Sequence, residues 1–339
     1  MEKLTYWQKR AVITKMIMLG YVDEYNEELA ALYIAAINAI DRKLAEWYGR
    51  FYDPKAMNYQ TAQLDLTANE MIQFKNDVQD YIKLGETIDY SDEWRAELER
   101  LALVNRITRL ESLETHIYQK LEEIYGHEKG TLDELFRAQY LGMFFRTAYD
   151  LQERMNQFTP ITVNDSKVNE TLETPWANDG MIYSERVWTS KEKLKQALKV
   201  ILAQGLILGR AYGQIAQEVI KKMNSAKSNA MTIVETEAAH FQQTAQKDVF
   251  DFYEVEKVRI LATLDMKTCE RCAALHMTTV DQKDNIPGVT TPQFHPNCRC
   301  TTEPIKEIVV RSTDPITGEV RRTYDYAEWY ERYVSGVAS

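Results

Sequence analysis

The chain has 339 residues, of which 45% are hydrophobic, so it is long enough for two or three domains with buried cores, and wholesale disorder is excluded. Its formal net charge of −10 at pH 7 disfavours a protein that coats nucleic acid over its whole surface. The opening residues lack the apolar core of a secretory signal, and no segment reaches the ~18 apolar residues that span a bilayer. We therefore expect no membrane partner and a protein that is made and kept in a cytoplasm.

Residues 1–155 predict a helical arm or bundle. The clearest element runs from about residue 23 to 51, where apolar side chains recur at steps of three or four. These side chains are Tyr25, Leu29, Tyr33, Ile37, Ile40, Leu44, Trp47 and Phe51. Such spacing places them on one face of an amphipathic helix, and we expect Pro54 to end it. The run Thr131-Leu-Asp-Glu has the pattern of a capping box, which predicts that another helix begins there and continues through Leu151.

Residues 156–184 change in composition. Thr159-Pro-Ile-Thr and Thr174-Pro-Trp-Ala are rich in turn-forming residues and show little helical period, so we expect a linker or extended segment. Helices then resume at about 190–204, 211–223 and 227–250.

The residue pattern changes again after Glu254. Branched residues alternate in Lys257-Val-Arg-Ile-Leu and predict a strand, and short strands are expected at Cys300-Thr-Thr-Glu-Pro-Ile and Glu307-Ile-Val-Val-Arg. Residues 311–339 predict a tail with a turn at Asp314 and a short helix at about 326–334. The fold class is therefore mainly α with a small α+β C-terminal module: a long helical N-terminal region followed by a cysteine-rich β subdomain at 255–305.

Residues 185–230 are basic within an acidic chain, with nine basic and three acidic side chains. A localised contact with a polyanion is one interpretation, and a solvated lysine-rich helix face is the other. If double-stranded DNA binds there, we expect contacts to phosphates without readout of the bases. The candidate contact residues are Arg186, Lys191, Lys195, Lys199, Arg210, Lys221 and Lys222.

All four cysteines lie within 32 residues, in the order Cys-x2-Cys, 22 intervening residues, and His-x2-Cys-x-Cys. A Cys-x2-Cys turn places two sulfurs on one side of a tight loop, which suits tetrahedral Zn(II). We predict a structural zinc site formed by Cys269, Cys272, His295 and Cys298. Cys300 is the leading substitute, because positions 298 and 300 share a face if the segment is extended.

Other interpretations of this cluster remain open. We expect His276 to lie outside the ligand set. In one alternative, the cysteines are free reduced thiols that pack a small β subdomain. A thiol nucleophile at Cys269 or Cys298 is another. However, each cysteine has a second cysteine nearby in the sequence, which is typical of metal sites.

The run Val234-Glu-Thr-Glu-Ala-Ala-His240 precedes the cysteine region in the last long helix. Glu237 and His240 share a helix face at a spacing of three residues. They form either a surface pair or a buried polar link between this helix and the cysteine subdomain.

Three of these elements together resemble the Mu F-like phage head-morphogenesis family. They are Val-Glu-Thr-Glu-Ala at 234–238, Ala262-Thr-Leu-Asp-Met-Lys-Thr-Cys-Glu-Arg-Cys with the following Ala-Ala-Leu, and Phe294-His-Pro-Asn-Cys-Arg-Cys-Thr-Thr. The resemblance predicts a family domain at residues 185–310. The family's usual Arg-Thr-Glu is replaced here by Glu235-Thr-Glu, which puts the contribution of that arginine in doubt. Some members carry a toxin or nuclease module after the cysteine region, and we expect none in the 37 residues after Thr302.

The resemblance implies a minor capsid protein of the phage virion rather than an enzyme. Such a protein associates with the portal protein and with other capsid or scaffolding proteins, and it influences DNA packaging or ejection. Two other functions are retained as alternatives: a metal- or thiol-dependent hydrolase that uses the Cys/His cluster, and a zinc-ribbon-like cellular nucleic-acid binder.

Overall fold

The computed structural model describes residues 4–52, 58–305 and 324–335. Within these ranges the chain is mostly helical. The helices are α1 (Tyr6–Phe51), α2 (Asn58–Ala62), α3 (Ala68–Leu84), α4 (Asp92–Leu103), α5 (Arg109–Met155), α6 (Asp165–Glu173), α7 (Tyr183–Ile207), α8 (Tyr212–Phe252), α9 (Glu270–Leu275) and α10 (Tyr326–Tyr333). The strands are β1 (Lys257–Leu261), β2 (Thr279–Asp281) and β3 (Thr301–Ile305). The predicted fold class, mainly α with a small sheet near the C-terminus, is confirmed.

The chain divides into two compact units. One comprises Met1–Glu24, Asp133–Ile182 and Thr232–Ser339, and the other comprises Tyr25–Leu132 and Tyr183–Met231. Helices α1, α5 and α8 each contribute residues to both units. None of the helices in the described ranges is long and apolar enough to cross a membrane.

Helix α1 begins well before the predicted start near residue 23. Its first turn carries a reciprocal cap, in which the Thr5 amide donates to Gln8 Oε1 at 2.8 Å and the Gln8 amide donates to Thr5 Oγ1 at 3.4 Å. The predicted apolar face is buried, with Leu29, Tyr33 and Leu44 at most 1% exposed. The helix ends at Phe51, and the proposed terminator Pro54 lies outside the described residues.

The helix start predicted at Thr131 is wrong, because α5 runs unbroken through that position. The Thr131 hydroxyl donates to the carbonyl of His127 at 2.9 Å, a bond that is available inside a helix. The capping box lies at the true start of α5, where the Thr108 amide donates to Glu111 Oε2 at 2.8 Å and the Glu111 amide donates to Thr108 Oγ1 at 3.2 Å.

Two further elements differ from the sequence prediction. Helix α6 lies within residues 156–184, where a linker or extended segment was expected; Asn164 caps it, and Val168 and Leu172 are buried. The helices expected at 211–223 and 227–250 form the single helix α8, because buried Met223 and Ala230 keep one face packed across the polar stretch between them.

The C-terminal sheet has the order β2-β1-β3, with both pairs antiparallel. The strands predicted at 257 and 300 and the helix predicted near 326 are confirmed. The strand expected at 307–311 and the turn at Asp314 lie outside the described residues. Helix α8 packs against strand β3. Gln243 Nε2 donates to Thr302 Oγ1 at 2.7 Å, and Thr301 Oγ1 donates to Gln246 Oε1 at 3.0 Å.

Glu128 is an acidic side chain in the core of its unit, only 1% exposed, and one carboxyl oxygen has no hydrogen-bond partner among the described residues. Burial raises the pKa of Glu128 from 4.5 to about 8. Because the folded pKa exceeds the unfolded one, stability is lost as the pH rises between these values. We expect Glu128→Gln to stabilise the protein by about 3 kcal/mol at pH 7 and by little at pH 4.

Urea unfolding at both pH values measures this effect. Glu27→Gln, at an exposed position on α1, is the matched control and is expected to change neither value. An equal effect of Glu128→Gln at pH 4 and pH 7 would contradict the buried neutral acid.

Candidate metal centre

A short helical turn after strand β1 positions the first two cysteines. Cys269 is the N-cap of α9, with extended backbone, and its Sγ accepts a hydrogen bond from the Cys272 amide at 3.4 Å. Helix α9 then brings the Cys272 side chain, 3% exposed, to the same side of the turn. An amide directed at a sulfur favours the thiolate, which is the form that binds metal.

His295 is oriented with its Nε2 atom toward these two sulfurs. Nε2 lies 3.2 Å from Cys269 Sγ and 3.1 Å from Cys272 Sγ. The other ring nitrogen, Nδ1, lies 2.7 Å from the carbonyl oxygen of Pro296, to which it donates in the tautomer that leaves the Nε2 lone pair directed at the sulfurs. A histidine that ligates a metal is commonly fixed in this way, with its second nitrogen bonded to a carbonyl or carboxylate.

The remaining two cysteines complete the cluster. Cys298 Sγ lies 3.8 Å from Cys272 Sγ. Two overlapping groups, Cys269 with Cys272 and His295, and Cys272 with Cys298 and Cys300, each keep their donor atoms within 4.8 Å of one another. Ligands at the usual Zn–S distance of about 2.3 Å in a tetrahedron have sulfurs about 3.8 Å apart. The donor types suit Zn(II), and the distance between Cys272 Sγ and Cys298 Sγ equals that between two zinc ligands. The five residues named from the sequence form two donor groups that share Cys272.

Neighbouring segments hold the second half of the cluster in place. A tight turn carries Asn297 at φ +59°, and the Cys298 amide donates to the His295 carbonyl at 3.2 Å. Arg299 forms an ion pair with Asp265, and the Thr263 hydroxyl donates to the Arg299 carbonyl at 2.8 Å. These contacts fasten the return segment to the loop that leads into α9.

The four thiols differ in acidity. Hydrogen bonding by Cys300 lowers the pKa of Cys298 to about 5, and the same bond raises the pKa of Cys300. Burial raises the pKa of Cys272 to about 12, whereas the Cys272 amide lowers the pKa of Cys269. Cys298 is therefore the thiol that ionises most readily, and binding a metal through Cys272 requires release of its proton.

A buried lysine near the cluster has no counterpart in the sequence analysis. Lys15 of α1 is 3% exposed and donates to Gln242 Oε1, and the pKa of Lys15 falls to about 8 because of burial, although the charges of Cys298 and Cys300 oppose the fall. A cation at this position balances negative charge on Cys298. Nothing in the sequence around Lys15 indicates the contact, since Cys298 is 283 residues away.

His276 lies outside both donor groups, as the sequence predicts. Its Nδ1 accepts a hydrogen bond from the Ala262 amide at 3.1 Å, at the end of strand β1. The histidine therefore has a structural role: it accepts the backbone hydrogen bond of the residue that follows strand β1.

Residues 196–303 match the sequence model of the family described as Phage Mu protein F like protein. This match, hereafter the Mu F-like segment, covers about a third of the chain. The Mu F-like segment contains all five donor residues, and the match supports a likeness to phage head-morphogenesis proteins.

A similar protein of Enterococcus faecalis is named NAD(+)–arginine ADP-ribosyltransferase EFV. It is 23% identical over 318 residues, which cover 85% of this chain and 61% of that protein. The chain thus spans less than two thirds of this relative's length, and the named activity is that of the relative. No solved structure gives a significant match.

Within the Mu F-like segment, Glu237 and His240 do not form a surface pair, because they are 2% and 7% exposed. Glu237 Oε2 accepts a hydrogen bond from Trp176 Nε1 at 2.8 Å, and the His240 ring stacks on Trp176 at 4.2 Å. A Cβ added at Gly288, which has φ +89°, would lie 3.3 Å from the Trp176 ring. Helix α8 is thereby linked to the cysteine module through Trp176.

The basic stretch is not one continuous surface, and the assignment of Lys191 as a DNA contact is wrong. Lys191 is 2% exposed, its Nζ lies 2.8 Å from Glu122 Oε1, and it lies over the Trp188 ring. Arg210 pairs with Glu218 at 2.7 Å. The other candidates differ in exposure: Lys199 and Lys221 are exposed, and Arg186, Lys195 and Lys222 are half-buried.

The fourth ligand is decided by comparing Cys298→Ser with Cys300→Ser. We expect the first substitution to lower zinc affinity by more than about 100-fold and the second by no more than about 10- to 100-fold, because loss of a ligand costs more than loss of a neighbouring hydrogen bond. Competition with a chromophoric chelator at fixed pH measures both affinities. The reverse order would assign the fourth position to Cys300.

Proposed function

We propose that this chain is a structural head-morphogenesis protein of a phage virion, with a C-terminal module clamped by Zn(II). The residues that would hold the metal are Cys269, Cys272, His295 and Cys298. The observation that carries the proposal is that these donors belong to two groups that share Cys272, both inside the Mu F-like segment. When bound, a zinc ion would cross-link the turn that carries Cys269 and Cys272 to the segment that carries His295 and Cys298. Neither segment contains a long helix or strand that would join them otherwise.

The arrangement favours a structural role over a thiol- or metal-dependent hydrolase. A catalytic zinc site keeps one position open for water, whereas the two donor groups that share Cys272 offer five side chains, more than the four that a closed site needs. Cys298, the most acidic of the three buried thiols, is only 2% exposed and is a poor nucleophile for an external substrate. Cys269 is half-buried, but its sulfur lies within the first donor group, 3.2 Å from His295 Nε2. The site therefore supports an assembly component rather than an enzyme.

The partners that fit this role are the phage portal protein and other capsid or scaffolding proteins. Contact with packaged double-stranded DNA would use the exposed basic side chains of the 185–230 stretch and would reach only phosphates. The place of action is the virion, in the head interior or at the portal, after assembly in the host cytoplasm.

Deletion of the gene from a phage that encodes this chain tests the proposal. We expect a loss of infectious titre with defective or DNA-poor heads in electron micrographs, and mass spectrometry of wild-type particles should detect the chain. A phage carrying Cys272→Ser should reproduce the defect. Normal heads and titre after deletion, or particles that lack the chain, would refute a head-morphogenesis role.

The non-enzymatic assignment has its own test. Incubation of the zinc-loaded chain with NAD⁺ and an arginine-containing acceptor is expected to give no ADP-ribosyl transfer, and incubation with ester and peptide substrates is expected to give no hydrolysis. Turnover that disappears in Cys269→Ser or Cys298→Ser would favour the enzyme.

A further inference from the structure

The first four turns of α1 carry a stripe of exposed apolar side chains. Tyr6, Ile13, Met16, Ile17 and Tyr21 are between 38% and 60% exposed. At 100° per residue, their side chains fall within one band of the helix surface, about 22 Å long at ~1.5 Å per residue. Single exposed apolar residues are ordinary, but a contiguous stripe of this kind is typical of an interface.

The stripe contains a position suited to close helix contact. Gly20 lies in the same band, and a Cβ added there would meet nothing within 4 Å. It therefore forms a shallow notch one helical repeat of seven residues after Ile13. A small residue beside large apolar ones lets a facing side chain insert between the backbones.

Two exposed charges of opposite sign occupy symmetric positions on this band. Lys9 lies between Tyr6 and Ile13, and Glu24 lies three residues beyond Tyr21. The midpoint between them falls between Met16 and Ile17, which is also the midpoint between Ile13 and Gly20. Such a pattern is complementary to itself when the helix is turned through 180°.

We propose that this face of α1 binds a second copy of the chain as an antiparallel, two-fold symmetric helix pair. In this arrangement Ile13 of each copy occupies the Gly20 notch of the other, and Ile17 lies next to the two-fold axis. Lys9 of each copy lies opposite Glu24 of the other, so every contact occurs twice, as an isologous interface requires. Burial of the apolar side chains supplies most of the affinity, and the exposed ion pairs fix the direction.

Sedimentation velocity of the full chain over a wide range of concentrations tests the association. We expect a reversible monomer–dimer equilibrium. Its dissociation constant should rise by at least about tenfold in each of the two single variants, Ile13→Asp and Ile17→Asp. Ile72→Asp, which places the same change at an exposed site on α3 (Ile72 is 62% exposed), is the matched control and should leave the equilibrium unchanged. A monomer at all concentrations, or equal effects of all three variants, would overturn the proposal.

Disulfide cross-linking distinguishes the antiparallel arrangement from a parallel one. In the antiparallel pair the two copies of residue 17 lie beside the axis, whereas the two copies of residue 6 are about 30 Å apart. Under oxidation, Ile17→Cys should therefore yield a covalent dimer above the wild-type background, and Tyr6→Cys should not. Cross-linking of both variants would show a parallel pair and refute the assigned geometry.

Discussion

Replacing Cys272 with serine is expected to abolish zinc binding and to unfold the cysteine module while the long helices persist. Cys272 is the one residue shared by both donor groups, and its sulfur lies within 4 Å of His295 Nε2 and of Cys298 Sγ. Structural zinc contributes roughly 10–16 kcal/mol to the folding of small zinc domains, so loss of a shared ligand removes most of the module's stability.

Three measurements check this result. Native mass spectrometry should show one Zn(II) per wild-type chain and none in the variant, and a chelator should have the same effect on the wild type. Limited proteolysis should cut residues 255–305 in the variant, while far-UV circular dichroism remains strongly helical. Met266→Ser is the matched control, since Met266 is fully exposed in the same module. Unchanged protease resistance in the Cys272→Ser chain would argue against a metal clamp.

Replacing Lys191 with methionine is expected to destabilise its unit by about 3–5 kcal/mol, because it leaves the buried Glu122 carboxylate without a cation. Glu122 is 4% exposed, and its other carboxyl oxygen accepts a hydrogen bond from Ser91 Oγ at 3.0 Å. The methionine side chain retains most of the lysine stem, so the loss reports mainly on charge. Chemical unfolding measures the change.

A double variant separates charge from packing. Lys191→Met combined with Glu122→Met should recover much of the lost stability, because a buried ion pair replaced by apolar residues is often close to neutral. Lys193→Met, at an exposed position on the same helix, should have little effect on stability. If Lys191→Met instead left stability unchanged and weakened DNA binding, the buried pair would be refuted and the original assignment restored.

Local patterns predicted the parts of the fold that depend on neighbours in the sequence. The prediction of the apolar face of α1 was correct because side chains three and four residues apart lie together on one side of any helix. Capping motifs were less reliable: Thr108 and Glu111 cap α5, whereas the similar pattern at Thr131 lies inside it. The two motifs have the same local chemistry, and burial of Leu132 and Phe136 continues the helix through the second one.

The sequence by itself determined the helical class, the small C-terminal sheet and the identity of the candidate donors, because each depends on residue types at short spacing. The tertiary structure decided which side chains from distant segments contact one another. It buried Lys191 against Glu122, placed Lys15 near Cys298, and inserted Trp176 between α8 and Gly288. The physical reason is that the solvation of a charge depends on which remote elements pack over it, and no local periodicity carries that information.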